Sequence, residues 1–136
     1  MAAVALIFAI TGLVWGFQWF SKTYYATISG GQSMADYKEP PSVWKGAPVQ
    51  GGPAIDQLWY RFRDSATTTG TIEVHIPHDT VSSVAININP DATTYWRTDY
   101  RYFDQYSLQE MPVGHIWGRF PGTTRAQKLM RMNYDI

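Results

Sequence analysis

Met1 to Ser21 reads MAAVALIFAITGLVWGFQWFS and carries no charged side chain. An α-helix rises about 1.5 Å per residue, so this stretch predicts a helix of roughly 31 Å, close to the hydrocarbon thickness of a bilayer. Its polar side chains are Thr11, Gln18 and Ser21, which a lipid-embedded or packed helix accommodates. Trp15, Trp19, Tyr24 and Tyr25 crowd its C-terminal end, where amphipathic rings favour the headgroup layer. The expectation is a transmembrane helix over residues 1–21 with these four rings at the membrane interface and the bilayer as first partner. A cleaved signal peptide fits less well. No Lys or Arg precedes the run, it exceeds an h-region in length, and it ends in bulky rings, not small residues.

The remaining hundred or so residues suffice for one small domain with one core. Eleven basic and eleven acidic side chains balance, which gives no support to nucleic-acid binding. The absence of cysteine excludes a disulfide framework, thiol catalysis and cysteine-ligated metals in this chain. A helix that opens on the first residue, and a last segment (Thr123 to Ile136) without a stop signal, read as the ends of a fragment.

Residues 22–52 form the expected linker, punctuated by Gly30-Gly31, Pro40-Pro41, Gly46, Pro48 and Gly51-Gly52, with Trp44 as an anchor. Residues 53–110 predict an α+β domain. After Pro53, apolar Ile55, Leu58, Trp59 and Phe62 follow the i, i+3, i+4, i+7 stripe of an amphipathic helix. Asp56 and Arg61 suit the two ends of its dipole. Three period-two runs then predict an antiparallel meander: Thr71 to Ile76, Val84 to Asn89 and Tyr95 to Phe103. In the third, Trp96, Thr98, Tyr100 and Tyr102 are placed on the dry face beneath the helix, with Arg97, Asp99 and Arg101 on the wet one. The expected core is Trp59, Phe62, Ile72, Val74, Ile76, Ile86, Ile88 and Trp96. Residues 111–136 predict a Pro/Gly loop, then a juxtamembrane helix bearing Arg125, Lys128 and Arg131, leading towards a further membrane segment.

Chemistry-bearing residues are sparse. His75 and His78, near Glu73 and Asp79, lack the converging third ligand that zinc requires. His115, between Gly114 and Gly118 and beside Trp117, offers a cofactor ligand or a group for titration near neutral pH, against the plainer reading of a loop histidine bonded to backbone. Arg97, Asp99, Arg101 and His115 are the candidate contact residues for a substrate or partner, against the plainer reading of a cross-strand charge ladder. Asp104 and Glu110 have no acid–base partner, and the glycine pairs lack the lysine of a phosphate loop. There is no catalytic constellation.

The ordered features resemble a known family. The apolar helix with Thr11-Gly12-Leu13-Val14-Trp15 is followed by the helix and strands, then Tyr102-Phe103-Asp104-Gln105-Tyr106-Ser107. The chain closes on Lys128-Leu129-Met130-Arg131-Met132-Asn133-Tyr134-Asp135-Ile136. Together these resemble the PepSY-associated transmembrane family of bacterial inner-membrane proteins. The resemblance implies a PepSY-like α+β domain, residues after Lys22 mostly periplasmic, further transmembrane helices as partners, and a role in iron acquisition. Some members look like haem proteins that reduce ferric siderophores, with the haem held by histidines in membrane helices. Residues 1–21 contain no histidine, so no haem ligand carries over and no cofactor is expected in this chain itself. The first functional reading is an extracytoplasmic cap of such an electron-transfer protein. The alternative is a non-enzymatic PepSY binding or regulatory module, similar to the inhibitory domains of protease precursors.

Overall fold

The computed structural model describes residues 1–46 and 50–135. Pro48 of the expected linker and Ile136 of the closing motif lie outside them. Over the described residues the chain is α+β, with four α-helices and one four-stranded antiparallel sheet in the order β1-β2-β3-β4. Helix α1 (Ala2–Gly16) and helix α2 (Gln18–Ser29) come first. Helix α3 (Ala54–Phe62) precedes the strands β1 (Thr71–His75), β2 (Val84–Asn89), β3 (Asp99–Phe103) and β4 (Glu110–Met111). Helix α4 (Arg125–Met132) closes the fold.

The continuous helix expected over residues 1–21 is corrected. Phe17 sits in extended backbone (φ −133°, ψ 116°) between α1 and α2, and the two axes turn by 115°. With 15 residues, α1 is about 22 Å long. No single helix among the described residues is long and apolar enough to cross a membrane; the bent pair together passes by length and composition. The break follows Gly16, a poor helix former. It lets α2 fold back onto α4, burying Ser21 and Tyr25. The expected linker therefore begins with two helical turns.

Helix α3 forms where the stripe predicts, buries Leu58 and Phe62, and carries Asp56 in its first turn. Together with Val84, Ile86, Phe103 and Leu108 these two residues make one core, flanked by Ile72, Val74 and Ile88. Each fully buried aliphatic or phenyl side chain contributes about 1.5–3 kcal/mol. Two expected core members turn outward: Trp59 is 42% exposed and Ile76, past the end of β1, 63%. Trp96 lies short of β3, half-buried, its ring 5.7 Å from that of Phe120.

Register overturns the expected faces of the third strand. Ile86 pairs with Arg101 and Ile88 with Asp99, while Asn87 pairs with Tyr100 and Ala85 with Tyr102. Directly paired residues share a face, so the charged residues lie under α3 and the tyrosines lie opposite. Over β3 that opposite face is covered by a layer with a second core of Val14, Tyr25, Ile116, Ala126 and Met130, bordered by Trp117 and Met34, while Thr71, Glu73 and His75 of β1 stay exposed. The sheet at β3 is thus sandwiched between α3 and a layer built from α2, α4 and the 114–118 loop. β4 was not foreseen; it pairs with the end of β3.

Candidate functional site

The second layer is organised by one buried side chain. Arg131 is 0% exposed. Its Nε donates to the carbonyl of Ile116 at 2.6 Å, Nη1 to Thr98 at 2.8 Å and Nη2 to Gly118 at 2.7 Å. The rings of Tyr100 and Trp117 lie 5.4 and 5.8 Å from the guanidinium carbon. A buried cation needs compensation, and here it comes from carbonyl dipoles and π-faces. Helix α4 aims the residue: a capping box between Thr124 and Gln127 starts the helix, and Met130 and Ala126 fix its inner face. Sequence spacing places Arg131 on a basic stripe with Arg125 and Lys128; only the fold shows it to be the keystone.

His115 sits beside this centre and is 5% exposed. Its Nδ1 accepts the Trp117 N–H at 3.2 Å, which leaves Nε2 as the protonated nitrogen of the neutral ring. Nε2 meets no hydrogen-bond partner among the described residues. Burial pushes the His115 pKa below its ordinary value, and the Arg131 charge adds to that. Tyr37 packs on the imidazole with ring centres 4.7 Å apart.

Between the α1–α2 elbow and this loop lies a cleft of about 210 Å³. Val14, Met34, Ile116 and Met130 form apolar walls, and Lys22 bridges Asp36 at 2.8 Å on its rim. Trp15 closes one side. Its Nε1 donates to the carbonyl of Asn133, and its ring meets Trp117 and Tyr134 at 6.0 and 5.6 Å. An apolar cleft with a few polar groups suits an amphipathic small molecule, although it is smaller than the roughly 300–1,000 Å³ of typical ligand sites.

The structure distributes the four expected interface rings unevenly. Trp19 is 66% exposed, Tyr24 is half-buried, Tyr25 is buried in the second core, and Trp15 is held by the domain. Of the contact candidates, Asp99 and Arg101 meet in one ion network through Arg119 and Glu110, while Arg97 and His115 lie apart from it. Arg101 makes a two-pronged ion pair with Glu110 (3.0 and 2.6 Å) and lies 4.4 Å from the Phe62 ring centre. Asp99 accepts from Arg119 and from the Phe120 N–H, and Arg119 reaches Glu110 as well. Burial by itself would raise the Glu110 carboxyl, but Arg101 and Arg119 outweigh it and hold the pKa low. Arg97 stays exposed against Trp96. Only His115 of the four reaches the cleft.

Asp104 is a structural acceptor, taking the N–H groups of Val43, Tyr106 and Ser107 at 2.8 Å each. These bonds overcome burial, which alone would raise it, and keep its carboxyl ionised. Among the described residues no three His, Asp or Glu side chains converge to hold a metal ion. Nor do the residues around His115 fit haem: a cleft of about 210 Å³ is too small for the macrocycle. Compared with protein families, curated proteins and solved structures, the chain matches none.

Proposed function

We propose that the chain is a membrane-seated, extracytoplasmic α+β cap of a bacterial inner-membrane protein of the PepSY-associated kind. In this reading α1 lies in lipid and against further transmembrane helices of the same protein. The lobe from α2 onward sits on the periplasmic side. The single observation that carries the reading is the surface of α1. Val4, Leu6, Ile7 and Phe8 are each at least half exposed, on a helix with no charged side chain. A contiguous uncharged apolar surface of this kind marks a lipid or protein contact.

The electron-transfer part, a haem-bearing reductase of ferric siderophores, rests on the sequence resemblance. Any haem would be held by histidines of other helices and supply one-electron chemistry there. The residues of this lobe would position α1 through Trp15 and exclude water through the second core. A second reading, a PepSY-like binding module without redox chemistry, is favoured by the cleft beside His115, whose rim charges are paired with one another and not with an acid–base partner.

Two measurements test the proposal. The 136-residue chain should float with phospholipid vesicles, and Phe8→Lys should abolish flotation while leaving the circular dichroism spectrum unchanged. Wild-type chain that stays at the bottom of the gradient refutes membrane seating. The natural protein purified from membranes should show a Soret band; a colourless preparation that binds a peptidase supports the second reading.

A further inference from the structure

The sheet order makes β1 and β4 its two edges. β4 is two residues long and runs into Pro112, which has no N–H to offer a neighbour. β1 is different. It pairs with β2 through consecutive residues without a bulge, and beyond that ladder no main-chain hydrogen bond reaches residues 71–76 among the described residues. Folded proteins blunt such an edge with lysine, proline, a bulge or a covering element. Residues 71–76 carry no lysine and no proline, and Ile76 is 63% exposed. Ile76 precedes Pro77, which favours extended backbone there, so the edge continues one residue past His75.

The side chains of this edge select its partner. Across a continuous sheet, a one-residue slip turns side chains to the wrong face. For two identical strands related by a two-fold axis, that requirement passes the axis through a residue. Centred on Glu73 it sets carboxylate against carboxylate, and centred on His75 it sets imidazole against imidazole. Centred on Val74, Glu73 of each copy lies opposite His75 of the other, and Ile72 lies opposite Ile76. Acid–base and aliphatic pairs stabilise a sheet when directly opposed, whereas like charges oppose it. The histidine is prepared for this role. Asn87 Nδ2 lies 2.9 Å from His75 Nε2; an amide nitrogen only donates, so the neutral ring carries its proton on Nδ1, a donor for a facing carboxylate. Within one copy the Glu73 carboxylate stands 3.6 Å from the same ring, so pairing brings carboxylates and imidazoles together in alternation. We infer that β1 is a self-complementary edge, through which two copies of this chain join antiparallel about Val74 into one continuous sheet. The pairing uses up both β1 edges, so assembly closes at two. The inference is independent of the membrane reading.

So short an edge covers less than the roughly 1,200 Å² of stable complexes, and the dimer is accordingly weak. Sedimentation equilibrium of the full chain at neutral pH, in a density-matched detergent at several protein-to-detergent ratios, tests it. Wild type should pass from monomer to dimer with a Kd of about 1 mM or tighter, on the order of −4 kcal/mol. Glu73→His and His75→Glu each set like groups opposite one another, and each should weaken the dimer at least about fivefold, roughly 1 kcal/mol. Both side chains are exposed, so the circular dichroism spectrum should not change. The double exchange, Glu73→His with His75→Glu, restores complementary pairs and should return the Kd to within about twofold of wild type, which is under 0.5 kcal/mol on the order of RT. Chance sharing of micelles through α1 responds to the detergent ratio and not to these exchanges. A wild type that stays monomeric to about 1 mM leaves the edge to a strand of another protein and overturns the inference. Assembly beyond a dimer, association indifferent to both single exchanges, or a double exchange that fails to recover pairing overturns it equally.

Discussion

Replacing Arg131 by Met keeps most of the volume and removes every donor. Three carbonyls, from Thr98, Ile116 and Gly118, then lose hydrogen bonds of 2.6–2.8 Å inside the second layer. Hydrogen bonds to a charged group contribute about 1.5–3 kcal/mol each, so the gross loss is about 5–9 kcal/mol. The same change removes a cation whose desolvation costs several kcal/mol. Each buried carbonyl left without its donor costs about 1–3 kcal/mol, and relief of the cation's desolvation offsets part of that, so the net expectation is a loss of about 3–5 kcal/mol. An unfolding entropy of about 2.1 cal/mol/K per residue gives about 0.29 kcal/mol/K over 136 residues. The melting temperature should therefore fall by about 10–17 °C. Arg131→Lys preserves the charge, but one nitrogen cannot reach three carbonyls on separate segments, so it should recover less than half of the loss. Urea unfolding in mild detergent, followed by tryptophan fluorescence, measures both variants; Trp117 touches the guanidinium and reports the layer directly. An Arg131→Met protein within about 1 kcal/mol of wild type would refute the claim that the guanidinium holds this layer together.

Three further outcomes follow from the geometry. The His115 pKa is depressed below its ordinary 6.5, so the unfolded chain binds the proton more readily. Stability is full above pH 6.5 and declines as pH falls towards the folded value; His115→Asn should flatten that decline in melting curves between pH 8 and pH 5. Glu110→Gln should cost about 1 kcal/mol at pH 7, since the network is partly exposed. The Glu110 pKa is held below its ordinary 4.5, so its contribution is present above that value and lost beneath it. The urea midpoints of wild type and Glu110→Gln should therefore converge at acid pH. Leu58→Ala should lose about 2–5 kcal/mol, whereas Trp59→Ala should lose under about 1 kcal/mol; equal losses would show that α3 is seated on the other side of its stripe.

Local pattern carried the reading of α3, β1 and β2, because period and punctuation are properties of neighbouring residues. Leu58 and Phe62 are buried, and Ile72, Val74, Ile86 and Ile88 share a face, as alternation implies. Register is not local. The alternation in Arg97 to Tyr102 divides the strand into two sets, but only pairing with β2 says which set meets the aliphatic side. Two packed faces at β3, in place of one dry and one wet, remove the cue that polarity would otherwise supply. The break at Phe17 escaped for a similar reason: no proline marks it, and what favours it is the packing of Tyr25 against α4 over a hundred residues away. Arg131 looked like one of three basic residues on a solvated helix, because its acceptors come from main-chain atoms at positions 98, 116 and 118. Of the four contact candidates, His115 is the one that lines the cleft.

Arg131 grips the backbone, so the side chains at its acceptor positions carry no instruction for that grip. Thr98 and Ile116 are free to drift among residues that suit their own packing without disturbing the three bonds. Gly118 is confined for another reason: a methyl group there would come within 2.8 Å of Val113 Cγ2. In diverging copies of this fold, the guanidinium and that glycine should therefore persist together while the two other acceptor positions change around them.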